Sequence, residues 1–110
     1  MVTRVYELMV IVNVEVDDLD GKAIIERVKQ MIEENGGSVP TVDHWGRRRY
    51  AYPINHQHEG VYTVLEIVTE APNLDDVDRY LRLADEVVRH KLIRLPDHEA
   101  ARRGLLAQSS

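Results

Sequence analysis

The stretch Trp45-Gly46-Arg47-Arg48-Arg49-Tyr50-Ala51-Tyr52-Pro53-Ile54 gathers the side chains most able to do chemistry in this chain. A guanidinium presents a planar fork of donors that fits phosphate oxygens, and aromatic faces beside it can stack on bases. Three consecutive arginines on a strand point alternately, so both of its faces become basic. This favours nucleic-acid binding over the competing reading, a charged edge strand guarded against aggregation. Arg89, His90, Lys91 and Arg94 form a second basic group, and Arg102-Arg103 a third. The signature of single-strand readers, a basic residue and Gly followed by alternating aromatics, is not met. The corresponding stretch is Glu59-Gly60-Val61-Tyr62-Thr63-Val64, with an acid in place of the base. Tyr6 and Tyr62 remain available for stacking.

Other chemistry finds little support. His56-x-His58 has metal-ligand spacing, but it lies in an expected hairpin loop with Glu59 as the one nearby acid. The pairs Asp17-Asp18 and Asp75-Asp76 fall at helix starts, where the helix dipole accounts for them. Ser38, Ser109 and Ser110 are the serines, and none lies in a nucleophile-elbow motif. Asn35-Gly36-Gly37 follows a helix C-terminus, the wrong end for anions. Without cysteine there is no disulfide, thiolate nucleophile or Cys-ligated metal. The expectation is no catalytic residue, no metal and no cofactor.

At 110 residues the chain suits one domain, able to bury about two thirds of its unfolded surface. The net charge of −5 speaks against a nucleic-acid partner, but its distribution is uneven. Residues 61–78 hold five acids and no base, whereas residues 79–110 hold seven bases and four acids. Either a basic surface or random scatter gives such a pattern. No apolar run approaches the ~20 residues of a membrane span, and the N-terminal residues lack a signal-peptide layout. A soluble cytosolic protein is expected.

The elements that must position these residues follow from periodicity. Arg4 to Val12 is apolar on both alternating faces, Tyr6-Leu8-Val10-Val12 and Val5-Glu7-Met9-Ile11, and reads as a central strand. Ile24, Ile25, Val28, Met31 and Ile32 form one stripe of a helix over Asp18–Glu34, ended by Asn35-Gly36-Gly37. Ser38 to Ile54 is a long strand with a bulge or bend at Gly46. Asn55 to Gly60 reads as the hairpin connection, and Val61 to Val68 as a second central strand. Ala71-Pro72-Asn73 starts a second helix, with Asn73 as its cap and Leu74, Val77, Leu81 and Ala84 as its stripe. Val87 to Leu95 is the last strand. This order predicts an α+β ferredoxin-like sandwich: a four-stranded antiparallel sheet with both helices on one face. The domain spans residues 1–95. Residues 96–110 read as a tail, flexible when free, whose Leu105-Leu106 pair has the character of a docking element. Either a partner or this tail covers the apolar open face.

With these pieces in order, the chain resembles the bacterial ribosomal small-subunit protein six family. The matching motifs are Arg4-Val5-Tyr6-Glu7, Asn35-Gly36-Gly37, Trp45-Gly46-Arg47-Arg48 running into Ala51-Tyr52-Pro53-Ile54, and Gly60-x-Tyr62. Leu81-Arg82-Leu83-Ala84-Asp85-Glu86-Val87-Val88-Arg89 also matches. The resemblance covers residues 4–95 and implies a structural, non-enzymatic role in the ribosome. Members bind small-subunit ribosomal RNA in the central domain (platform) together with ribosomal protein eighteen, as a heterodimer. Neither DNA nor a membrane is expected as a partner. Carried onto this chain, Arg4, Arg47, Arg48 and Arg49 are the expected RNA contacts, joined by Lys91 and Arg94. Tyr6, Tyr62, Arg89, Leu105 and Leu106 are the expected protein contacts. Tyr50 departs from the family, which usually has Leu there, and the tail varies too much for contacts to be transferred. Two alternatives remain. One is a small-molecule-sensing regulatory domain of the same topology, although its ligand loop would be Asn13–Asp17, without Gly. The other is an enzyme using His44, His90 and Glu66.

Overall fold

The computed structural model describes residues 2–54 and 57–106. The order is β1 (Arg4–Asn13), α1 (Asp18–Glu34), β2 (Ser38–Ile54), β3 (Gln57–Thr69), α2 (Asp75–Leu83), β4 (Val87–Arg94) and α3 (Asp97–Arg102). The strands form one antiparallel sheet in the order β2-β3-β1-β4. The expected ferredoxin-like α+β sandwich is therefore present, with β1 and β3 central.

Its core lies between the sheet and the first two helices. Leu8, Val10 and Val12 of β1 and Leu65 and Ile67 of β3 meet Ile24, Ile25, Val28 and Ile32 of α1 and Val77 and Leu81 of α2. Period-two and period-3.6 patterns here point at the same interior. Helix α1 begins where Asp17 Oδ1 accepts the Leu19 N–H at 3.3 Å. It ends in a Schellman turn: Gly36 N–H to Glu33 C=O at 3.0 Å and Gly37 N–H to Ile32 C=O at 2.9 Å, with Gly36 at φ 83°.

Three boundaries differ from expectation. Helix α2 starts at Asp75, because Asn73 Oδ1 takes the Asp75 N–H in a turn of its own, 3.1 Å long, and Leu74 occupies the cap position. Strand β3 starts at Gln57 rather than Val61, because the β2–β3 ladder runs on past the end of β1: Arg49 pairs with Glu59 and Arg48 with Gly60, while Asn13 of β1 reaches only Gly60. Gln57 to Gly60 are thus strand, not connection. His56 lies outside the described residues, as does Asn55. Residues 97–102 form the short helix α3. It ends in a second Schellman turn, with Gly104 at φ 77° and Leu105 N–H bonded to Ala100 C=O at 2.9 Å.

This C-terminal segment lies on the open sheet face. Val5, Leu95 and Ala100 form a small second core, flanked by Val68, Leu105 and Leu106. The chain's own tail thus covers one end of the open face, and the described residues leave the hairpin end uncovered.

Candidate nucleic-acid interface

Strand pairing orders the open face into rows. From the tail end these are Val5 and Val68; Ile93, Glu7, Glu66 and Thr41; Lys91, Met9, Val64 and Asp43; and Arg89, Ile11, Tyr62 and Gly46. Glu7 and Glu66 stand directly opposite on the two central strands, a repulsive arrangement by itself. Arg103 resolves it, with Nη1 2.8 Å from Glu7 and 3.1 Å from Glu66, while its Nε bonds Glu99 at 2.8 Å. Glu7 first, then Glu99 and Glu66, raise the already high pKa of Arg103. Arg102 foremost, with Arg103, holds the Glu99 carboxyl down to about 2.

The bulge or bend expected at Gly46 is a β-bulge. The register with β3 shifts by one between His44 and Gly46, and Gly46 has φ 81°. The bulge changes the alternation along β2. Trp45 keeps the open face of Thr41 and Asp43, where its ring stacks on Tyr62 at 6.3 Å and 5° between planes and its Nε1 donates to Asp43 at 3.0 Å, and the even-numbered residues beyond the bulge join it there. Past the bulge Tyr50 also meets Tyr62, at 6.3 Å and 51°. The arginines ride on the two-stranded arm beyond the body of the sheet and are exposed. Arg47 Nη1 lies 3.6 Å from Glu59, and Arg48 donates to the Arg47 carbonyl at 3.2 Å. Among the described residues Arg48 and Arg49 have no ion pair. Trp45 and Tyr52, 43% and 80% exposed, add aromatic surface.

The other expected RNA residues are not all nearby. Lys91 is exposed on the open face, one row from Arg89. Arg4 and Arg94 sit at the opposite end of the sheet, and Arg4 donates to the carbonyls of Val2 and Ala71 at 3.4 Å each. Of the expected protein contacts, Tyr62 and Arg89 share a row at the hairpin end. Leu105 and Leu106 pack on this chain's own second core, and Tyr6 packs on the helix side.

The acid–base groups stay apart. His44 and His90 occupy the two edge strands of one row, facing the helices and bonded to Thr63 at 3.3 Å and Asp78 at 2.7 Å, while Glu66 is on the other face. No group of three or more His, Asp or Glu suited to a metal occurs among the described residues. None of their helices is long and apolar enough to cross a membrane. Sequence reasoning missed Arg103 as the clamp and Tyr50 as a buried contact. A Gly-Leu-Leu ending after two arginines was the available sign of the first.

Comparison with known proteins agrees with this architecture. The family model described as ribosomal protein S6 matches residues 5–94. The small ribosomal subunit protein bS6 of Carboxydothermus hydrogenoformans is 46% identical over 91 residues, 83% of this chain and 95% of that protein. Its counterpart in Saccharopolyspora erythraea is 43% identical, over 83% of this chain and 77% of that one. The crystal structure of 30S ribosomal protein S6 from Thermotoga maritima superposes with a TM-score of 0.84 at 33% identity, covering 94% of this chain and 97% of that one. This chain belongs to the ribosomal protein S6 family of the small ribosomal subunit.

Proposed function

We propose that this chain acts in the cytoplasm as a structural constituent of the small subunit. It binds ribosomal RNA of the central domain together with ribosomal protein eighteen and performs no catalysis. The observation that carries the reading is the projecting arm with its three exposed consecutive arginines, two of them without an ion pair among the described residues. A phosphate backbone is the partner such a surface suits, and contacts of this type position RNA without reading its sequence. Lys91 extends this surface, whereas Arg4 and Arg94 serve a separate contact at the other end of the sheet. Protein eighteen is assigned the middle of the open face, around Met9, Val64 and the exposed Ile93.

The test is binding of the whole chain to a central-domain RNA fragment, with and without protein eighteen, at two salt concentrations. Affinity is expected to rise with the partner and fall with salt. Arg47→Ala with Arg48→Ala is expected to reduce the salt slope by about 2. Unchanged affinity in that double variant would show that the arm is not the site.

A further inference from the structure

The hairpin end of the open face holds a cleft of about 390 Å³. Its floor is Met9, Ile11 and Tyr62. Residues 49–54 of β2 form one wall, and Arg89 stands at the opposite side on β4. That volume is near the lower end for small-ligand sites. Three features say what fits.

The Tyr50 hydroxyl is buried in the lining and has no hydrogen-bond partner among the described residues. The atom is closed off where it lies over Gly60, so the Tyr50 ring turns off Gly60 before a ligand's polar group pairs the hydroxyl and returns the free energy its burial costs. Burial, then Tyr62, raises the Tyr50 pKa, and Arg89 opposes this, so the guanidinium acts on the same small space. The charge of the cleft is of one sign. Arg49 and Arg89 are its charged lining residues, and no carboxylate lines it among the described residues. The acids elsewhere on the face are engaged, Glu7 and Glu66 by Arg103 and Asp43 by the Trp45 indole. The floor is aliphatic and aromatic. A flat ring with a polar edge and an attached anion matches all three.

We propose that this cleft takes one unpaired, extruded RNA nucleotide, its base against Tyr62 and Ile11, a polar edge at the Tyr50 hydroxyl and its phosphate on Arg89. The inference rests on the RNA-binding reading above and deepens it. It moves Tyr62 and Arg89 from the protein contact to the RNA contact. Tyr50 becomes a specificity residue of this chain, since a leucine there has no polar group to offer.

The probes are single-stranded hexaadenylate and an RNA duplex with the same number of phosphates, each titrated into the full chain. Calorimetry and fluorescence of Trp45, the one tryptophan, are the readouts. Hexaadenylate is expected to bind and change the Trp45 emission. Arg89→Ala should weaken it about tenfold and the duplex by less than about twofold. Tyr50→Phe should weaken hexaadenylate about fivefold without lowering the thermal midpoint, because the hydroxyl it removes has no partner in the fold. If both variants bind hexaadenylate as the parent chain does, while Arg47→Ala with Arg48→Ala still loses RNA, the cleft assignment falls and the RNA reading stands. If the parent chain binds neither RNA, both fall. If protein eighteen displaces hexaadenylate, the cleft belongs to a protein side chain and the nucleotide assignment is overturned.

Discussion

Gly60 shows how the neighbours of a residue can mislead about its place. Its place in a polar run suggests a hairpin connection, yet it is a buried strand residue. A Cβ built there would fall on the Tyr50 hydroxyl and on Ile11 Cγ2. Glycine is needed because two side chains from different strands occupy the space of a third. Gly60→Ala is expected to destabilise the fold by about 1–3 kcal/mol, read as a lower midpoint in thermal denaturation. An unchanged midpoint would mean that the Tyr50 ring can leave its place at little cost. The chemistry of Arg47, Arg48 and Arg49 was legible from residue type alone, since a guanidinium does the same thing wherever it is exposed. The grip of Arg103 was not, because its partners lie 96 and 37 positions away in the chain.

Among the elements, the C-terminal segment differs most from its sequence character. Six residues of helix are too few to persist alone. The segment is held by burial of Ala100 and Leu95, by the Schellman turn at Gly104 and by Arg103 across the sheet. Arg103→Ala leaves Glu7 and Glu66 opposed without a cation. It is expected to loosen α3 at a cost of about 1 kcal/mol, seen as faster amide exchange at Leu105. Unaltered exchange would mean that the apolar contacts alone hold the segment. The pH dependence has a definite sign. The Glu99 carboxyl is held to about 2 in the fold, below its ordinary 4.5, by Arg102 and Arg103. Its contribution to α3 is complete above about 4.5 and is lost as pH falls toward 2. Amide exchange at Leu105 should therefore be constant from neutral pH to about 5, once corrected for intrinsic rates, and should accelerate below.

The molecule as a whole separates its basic arm from an acidic body. It extends 49 × 28 × 20 Å, with the β2–β3 arm projecting past the sheet. A chain of net charge −5 can still attract RNA, because screening over about 10 Å at 0.1 M salt makes the near charges count most. The ion pairs Lys22–Asp18, Arg27–Glu34 and Arg82–Asp78 are exposed and contribute little to stability, and the half-buried pairs of Arg103 are screened less by salt. Raising salt from about 0.05 to 0.2 M should therefore lower RNA affinity steeply while moving the thermal midpoint by only a degree or two. A parallel fall in both would mean that the charges hold the fold.

The local part of this architecture could be read along the chain. The span of α1, the start and end of β2, the bulge at Gly46 and the central position of β1 follow from a capping aspartate, paired glycines and side-chain alternation. Each of these acts within a few residues of where it stands. The family could be read the same way, since its motifs are short and ordered. Pairing between distant segments decided the rest. β3 grows to Gln57 because β2 lies beside it. The tail covers one end of the open face because Val5 and Val68, with Glu7 and Glu66 in the next row, meet there. The basic residues divide between two ends because the strand order β2-β3-β1-β4, and not their spacing in the chain, determines which of them are neighbours.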